Sequence, residues 1–276
     1  MSGLSPYLCS VHTHATLCDG KDTLQAMAAA AYAAGVKHYG VSCHSHTPID
    51  LDVGFVLEAD MEPYKQAVLA LREQYAGKME ILLGLELDSC ADVEPEGFDY
   101  WIGSVHYQKR ENGKYYAADW GEEPFRACRD EACGGDALAV AEGYFQSVES
   151  MAARKPTILG HFDLITKLNG GNRFFDEDAP RYKAAALNAL HAVDPAATVL
   201  EINTGGMARG YRSAPYPALF LLKEWRAMGG HVILTSDAHN AGGILYGYDT
   251  SIALAKAAGF DRCVILTMNG FEDCPL

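Results

Sequence analysis

The feature that most restricts the fold of this 276-residue chain is its alternation of short β-type runs with helical runs. Strands are predicted at residues 7–11, 38–42, 80–85, 100–105, 157–159, 198–202, 232–235 and 264–266. Helices are predicted at residues 23–34, 63–75, 136–154, 180–191, 217–228 and 250–258. Strands alternating with helices pair in parallel through right-handed crossovers. We therefore expect an α/β fold, a barrel of seven β/α units, with an open doubly wound sheet as the alternative.

No part of the chain has the composition of a linker or a low-complexity segment. We therefore expect one domain over residues 1–276, with residues 108–135 as an excursion between a strand and its helix. With 49% hydrophobic residues, a chain of this length can bury a large core without disulfides.

The charge balance restricts the partners. Twenty-two Lys and Arg against 36 Asp and Glu give a net charge of −14, which argues against nucleic acid and against an anionic membrane surface. No apolar run approaches the roughly 18 residues of a membrane span. The first ten residues do not resemble a signal peptide, and the eight cysteines form no C-x-x-C pair. We expect reduced cysteines and a cytoplasmic location.

Metal-ligating side chains recur where the predicted strands end. A barrel carries its chemistry at that edge, and six of the first seven strand ends hold His, Asp or Glu. These residues are His12, His14, His44, Glu86, His106, His161, Asp237 and His239. Ten histidines scattered at random would not produce this pattern.

The spacing of these residues favours divalent metal ions. His12 and His14 lie on the same side of an extended strand, and two neutral imidazoles suit zinc, manganese or iron. The pair at Asp237 and His239 repeats that geometry, and the first and last strands of a barrel are neighbours. Glu86 follows an apolar run, so its burial needs a cation, and a carboxylate can bridge two metals. We expect two or three metals.

Other histidines favour structural roles. His38 and His231 begin strands, and His191 lies late in a helix, where a cationic ring is favourable. His46 lies in a loop near the predicted site and is left outside the ligand set.

An acidic protein that binds phosphate needs local cations. Arg173, Arg209 and Arg212 lie in the loops after the fifth and sixth strands, and arginine binds phosphate through two hydrogen bonds. The sequence leaves open whether Arg209 or Arg212 meets the phosphate. No P-loop, G-x-S-x-G elbow or dinucleotide fingerprint is present.

Nine short segments, spread in order over nearly the whole chain, together resemble the PHP superfamily (polymerase and histidinol phosphatase), within it the monofunctional histidinol-phosphatases. They are S-V-H-T-H ending at His14, C-D-G-K at 18–21, G-V-S-C-H ending at His44, G-L-E ending at Glu86, I-G-S-V-H ending at His106, G-H-F-D-L at 160–164, E-I-N-T at 201–204, R-G-Y-R at 209–212 with Tyr216 and Pro217, and S-D-A-H ending at His239.

The resemblance implies a distorted TIM-like barrel of seven β/α units with a trinuclear metal centre. His12, His14, Glu86 and Asp237 would hold the first metal, Glu86, His106 and His161 the second, and Asp19, His44 and His239 the third. Arg173 and Arg209 would meet the phosphate. The implied reaction hydrolyses L-histidinol phosphate, a step of histidine biosynthesis, by attack of a metal-bound hydroxide, with the proton donor unassigned.

Three other functions are alternatives for a chain with these residues. An amidohydrolase-type enzyme acting on a C–N bond also uses an H-x-H pair after its first strand. A proofreading nuclease, known in the same superfamily, fits poorly with the net charge of −14. A metal-buffering or sensing barrel would need ligands saturated by protein, whereas nine ligands shared by three metals leave positions for water.

Overall fold

The computed structural model describes residues 3–49 and 56–276 and has a mixed α/β architecture. Its strands are β1 (Cys9–Ser10), β2 (His38–Val41), β3 (Glu80–Asp88), β4 (Tyr100–Ser104), β5 (Tyr107–Lys109), β6 (Tyr115–Ala117), β7 (Ile158–Leu159), β8 (Val199–Asn203), β9 (Val232–Thr235), β10 (Arg262–Thr267) and β11 (Gly270–Pro275). Its helices are α1 (Leu24–Ala33), α2 (Glu62–Gln74), α3 (Glu122–Ala132), α4 (Ala137–Ala152), α5 (Pro180–His191), α6 (Gly205–Ala208), α7 (Leu219–Ala227) and α8 (Tyr248–Ala258). None of these helices is both long and apolar enough to cross a membrane.

One curled sheet organises the molecule, in the strand order β1-β2-β3-β4-β7-β8-β9-β10-β11. Neighbours are parallel from β1 to β10. The sheet closes on itself at one end, where Thr13 and Ala238 form a parallel bridge and the His14 amide donates to the Ala238 carbonyl at 2.9 Å. The predicted distorted α/β barrel is therefore confirmed, and the closed end is the one at which the strands finish.

Two features distort the barrel. The parallel strands β3 and β4 are joined by residues 89–99, which contain no helix. At the other side, β10 inserts next to β9 and pairs antiparallel with β11. The sequence did not predict β11, because within it only Cys274 is buried and the apolar alternation of a strand is missing.

The predicted excursion contains regular structure. A hairpin of β5 and β6 is followed by α3, and the Ala118 amide donates to the His106 carbonyl at 2.7 Å. This bond ties the segment after the hairpin to the closed end of the barrel.

Side-chain caps and one buried tyrosine explain much of the local order. Thr23 and Asp136 accept backbone hydrogen bonds at the starts of α1 and α4, which satisfies amides that a helix leaves unpaired. Tyr100 crosses the barrel interior and donates to the Val11 carbonyl. A Cβ atom at Gly40 would lie 2.2 Å from the Tyr100 hydroxyl, so a larger residue there would displace the ring.

Candidate metal centre

The strand-end residues predicted from the sequence meet at the closed end of the barrel. His12 and His14 follow β1, and Asp237 and His239 follow β9, so the bridge that closes the barrel brings these two pairs together. Asp19 joins them from the loop after β1, where the Lys21 amide donates to the His239 carbonyl at 2.7 Å. The cluster has four further members. Glu86 lies in β3, and the segments after β2, β4 and β7 supply His44, His106 and His161 in that order.

Glu86 lies at the centre of this cluster, with its side chain 1% exposed. Five imidazoles surround its two oxygens. The nitrogen-to-oxygen distances are 3.3 Å for His12, 3.4 Å for His14, 2.9 Å for His44, 3.4 Å for His106 and 2.9 Å for His161. A carboxylate shared in this way has the position of a group that bridges two cations.

The other two carboxylates lie to either side of His14. Asp237 Oδ1 is 3.2 Å from His14 Nε2 and 3.6 Å from His12 Nε2. Asp19 is 3.5 Å from His14 Nδ1, 3.6 Å from His44 Nε2 and 3.0 Å from His239 Nε2.

Four atoms that face one another in the cluster are buried and have no hydrogen-bond partner in the described structure. They are His12 Nε2, His14 Nε2, Asp19 Oδ1 and Glu86 Oε2. Buried polar atoms are nearly always hydrogen-bonded, so several unsatisfied ones converging on one region indicate a missing cationic partner. Imidazole nitrogens and carboxylate oxygens are ligands of zinc, manganese and iron. The residues therefore fit divalent metal ions.

Among the described residues, four groups have ligand atoms close enough together to hold an ion. They are His14 with Asp19, His44 and His239; His12 with His14 and Asp237; His12 with Glu86 and His161; and His44 with Glu86 and His106. All nine predicted ligands belong to at least one group, while their role as metal ligands stays a prediction. Glu86 connects two of the groups, and His12, His14 and His44 are also shared.

Two acids that the sequence analysis did not assign hold the histidine rings in place. Glu201 Oε1 lies 2.5 Å from His12 Nδ1, and its other oxygen accepts the His161 amide at 2.7 Å. Asp88 Oδ2 lies 3.1 Å from His106 Nδ1. A carboxylate behind an imidazole fixes the ring orientation and increases its basicity toward a metal. An acid inside the apolar run at 198–202 was the available signal for Glu201.

Mutual charge dominates the protonation of these buried groups. Burial disfavours the charged form of Glu86, but His44, His12 and His106 hold its pKa well below the usual value. Burial likewise disfavours a charged His12, yet Glu201, Glu86 and Asp237 hold its pKa well above the usual value. Without a metal, protons therefore supply the positive charge, and metal binding would release them.

A cavity of about 370 Å³ opens onto the cluster. Arg209 lines it and donates to Asp237 Oδ2 at 2.9 Å, with a second guanidinium nitrogen 2.8 Å from His239 Nδ1. The Arg209 side chain is 30% exposed, so it can still reach a ligand in the cavity. Residues after β6 and β7 add Asp119, Trp120 and Lys167 to the cavity wall. None of these three residues was predicted from the sequence.

The structure does not bring Arg173 to this cavity. Its guanidinium pairs with Glu122 at the start of α3 and lies 5.6 Å from the Phe174 ring centre, and its side chain is 54% exposed. The expectation for Arg173 depended on an open loop, but α3 supplies an acid that holds the arginine at the surface. Arg212 is also engaged elsewhere, because it donates to the Thr166 carbonyl at 3.0 Å and to Glu177 at 3.1 Å.

The histidines predicted as structural lie outside the cavity. His38 pairs with Glu80 at 2.7 Å, and His191 pairs with Glu224 at 2.7 Å. His231 is 58% exposed, with Asp273 3.9 Å away. His46, which is not among the predicted ligands, pairs with Asp92 at 2.6 Å.

An α/β barrel with a cluster of histidines and acids at the carboxyl ends of its strands defines a class of proteins able to hold divalent metals. The family model of the PHP domain matches residues 9–205 of this chain. The chain belongs to the PHP domain family. The match ends before Asp237 and His239, which the barrel closure brings to the same site.

Similar proteins cover nearly all of the chain. A Bacillus subtilis protein named histidinol-phosphatase is 27% identical over 262 residues, which is 86% of this chain and 96% of the relative. A relative from Deinococcus radiodurans is 29% identical over 91% of this chain and 94% of its own length. The crystal structure of histidinol phosphate phosphatase from Lactococcus lactis, complexed with zinc, L-histidinol and phosphate, has a TM-score of 0.66 at 18% identity. The match covers 95% of this chain and 98% of the Lactococcus lactis chain.

Proposed function

We propose that this chain is a metal-dependent phosphomonoesterase that hydrolyses L-histidinol phosphate to L-histidinol and phosphate in histidine biosynthesis. The observation that carries the proposal is the convergence of five imidazoles on the buried carboxylate of Glu86, with Arg209 in the same cavity. A cation cluster next to an arginine suits a phosphate ester, whose charge must be balanced during transfer.

The proposed cofactors are three divalent ions, zinc, manganese or iron. His12, His14, Glu86 and Asp237 would hold the first. Glu86, His106 and His161 would hold the second, and Asp19, His44 and His239 the third. When bound, such ions activate water at neutral pH and stabilise charge on the phosphoryl oxygens.

The chain's own groups then bind and orient the ester. Arg209 would donate two parallel hydrogen bonds to the phosphoryl oxygens, and Asp237 and His239 would hold its guanidinium toward them. Glu201 and Asp88 would keep His12 and His106 in one orientation. Because these rings are fixed before the substrate binds, little reorganisation is needed during the reaction.

The substrate rests on the relatives. The Bacillus subtilis relative is named histidinol-phosphatase, and the Lactococcus lactis structure contains both L-histidinol and phosphate. Arg209 beside the cluster favours an anionic phosphate over a neutral amide, and so favours the phosphatase over the C–N hydrolase. A cytoplasmic location is part of the proposal, since all eight cysteines are unpaired.

The test is phosphate release from a panel of phosphomonoesters, with the metal content determined on the same preparation. We expect a strong preference for L-histidinol phosphate at two to three metals per chain. Bound metal without phosphate release from any ester would contradict the proposal, and the role of Arg209 would be withdrawn first.

A further inference from the structure

The antiparallel hairpin of β10 and β11 places two of the eight cysteines opposite each other. Cys263, the second residue of β10, is the register partner of Cys274 in β11. Directly opposite residues of antiparallel strands have Cα atoms about 4.5 or 5.5 Å apart, which is within the range that a disulfide spans. The two Sγ atoms lie 3.2 Å apart. A shift of roughly 1 Å would therefore bring them to the bond length of a disulfide.

This cysteine pair lies at the start of β10, away from the metal centre. Next to it, Val264 pairs with Ile233, near the start of β9. The predicted ligands Asp237 and His239 follow the other end of β9. A bond between the two sulfur atoms therefore leaves the strand ends that carry the ligands in place.

The strand that covers the pair is the least buried of the sheet's edges. Both thiols are buried, but β11 is the last strand in the sheet order, and five of its six residues are exposed. A segment with few buried contacts opens at a lower free energy than the rest of a structure. Opening of β11 exposes both sulfur atoms to a small reagent, and re-pairing of the strands brings the two atoms back into contact.

We propose that Cys263 and Cys274 are a site of reversible disulfide formation, which ties β11 to β10 when the surrounding thiol pool becomes oxidising. The oxidant is a low-molecular-weight disulfide. The thiolate of one cysteine attacks it, forms a mixed disulfide and releases one small thiol. The second cysteine then attacks the mixed disulfide and releases the other small thiol.

The exchange is balanced without the metal centre. Two electrons pass from the cysteine pair to the small disulfide, and the two cysteine protons end on the two thiols released. In a reducing cytoplasm the exchange runs in the opposite direction, and the pair stays as the free thiols of the structure.

The test incubates the metal-loaded protein with reduced and oxidised glutathione at set ratios, blocks free thiols with N-ethylmaleimide and digests with trypsin. Trypsin cuts after Arg262, and residues 263–276 contain no Lys or Arg, so both cysteines are in one peptide. A disulfide within this peptide leaves it unlabelled and two hydrogen atoms lighter, which mass spectrometry detects.

The expected result is a closure equilibrium constant that is roughly 10- to 100-fold higher in the native protein than in urea-unfolded protein, the usual weight of a disulfide that closes a short loop. An equal or lower constant in the native protein would overturn the proposal. A crosslink to the tryptic peptide that ends at Lys21 and contains Cys9 would also overturn it, since Cys9 Sγ lies 3.7 Å from the Leu266 carbonyl in the same core.

Cys90 is the control thiol, because it is partly exposed and lies against Ser89 and the Tyr107 carbonyl. It should form a mixed disulfide with glutathione, and Cys90→Ser should leave closure of the pair unchanged. Cys263→Ser should abolish closure and leave Cys274 labelled or glutathionylated. If Cys90→Ser prevents closure or Cys263→Ser retains it, the assigned pair is wrong. The comparison of native and unfolded wild type decides the matter even if Cys263→Ser fails to fold.

Discussion

The neighbouring strands β2 and β3 present a histidine opposite a glutamate twice, six positions apart. At the start of the strands His38 pairs with Glu80 at 2.7 Å, and just beyond the end of β2 His44 lies opposite Glu86 at 2.9 Å. The first glutamate is 37% exposed and contacts one imidazole. The second is 1% exposed and contacts five.

The difference between the two pairs lies in their surroundings. At the strand starts His38 and Glu80 contact each other and are partly exposed to water, and such surface pairs contribute little to stability. At the strand ends the other strands bring further imidazoles to the carboxylate of Glu86. Even so, Glu86 Oε2 has no hydrogen-bond partner in the described structure. The same residue pair is therefore a surface ion pair at one end and a candidate metal site at the other.

The largest contrast is expected between the two glutamates. Glu86→Gln should lower kcat/KM roughly 10³-fold or more and reduce the metal content by at least one ion per chain, because several kcal/mol of charge stabilisation is lost. Glu80→Gln, in the same strand, should change neither. Activity measurements and elemental analysis on the two purified variants check this, and equal losses would remove the distinction between the two ends.

The histidines should divide in the same way. His161→Asn should abolish turnover while far-UV circular dichroism stays that of the wild type, since the ring contacts Glu86 at 2.9 Å and the backbone amide still bonds to Glu201. His38→Asn is the control at the strand starts. Near-normal activity of His161→Asn would contradict the assignment of the second metal.

The arginines offer a smaller contrast. Arg209→Lys keeps the charge but loses the planar pair of donors, so we expect roughly a tenfold lower kcat/KM for the phosphate ester. Arg173→Lys should have no effect, because Arg173 pairs with Glu122 at the surface. Steady-state kinetics on both variants would reject the phosphate role of Arg209 if Arg173→Lys were the more damaging.

The smallest effect concerns the stability of the metal-free protein. Burial and His44 lower the pKa of His14, but its contact with Asp237 and other groups raises it to about 9, above its usual 6.5. A raised folded-state pKa gives a stabilisation that is complete below pH 6.5 and is lost as the pH rises to 9. We expect the Tm of chelator-treated protein to fall over this range, by a few degrees for a loss on the order of 1–3 kcal/mol. Metal-loaded protein should not follow this trend, and a rising Tm without metal would contradict the sign.

Much of the fold was predictable because hydrophobic periodicity, and the Gly and Pro residues that begin or end helices and strands, are local properties of the sequence. Residues 180–191 and 232–235 were predicted with the bounds that α5 and β9 have. The β5–β6 hairpin was not predicted, because each of its strands is three residues long. The helix α3 was not predicted either, since only Phe125 and Cys128 of its 11 residues are buried and the apolar pattern is short.

For the site, strand ends were more informative than loops. All nine predicted ligands come together: eight of them lie at or just after strand ends, which parallel strands bring to one edge, and Asp19 comes from the loop after β1. The structure places Arg173 outside the cavity because the acid that pairs with it belongs to α3, and Asp119 was not singled out because nothing in its local sequence marks it as buried.

The sequence alone determined which residue types end each strand and that the strands share one edge, because side-chain alternation and crossover handedness are local rules. Only the tertiary structure decided which of two equivalent His–Glu pairs is buried, which arginine faces the cavity and which carboxylate oxygen lacks a donor. Those outcomes depend on groups far apart in the chain, such as Arg209 with Asp237 or Asp119 with Lys167, and on the exclusion of water that packing brings about.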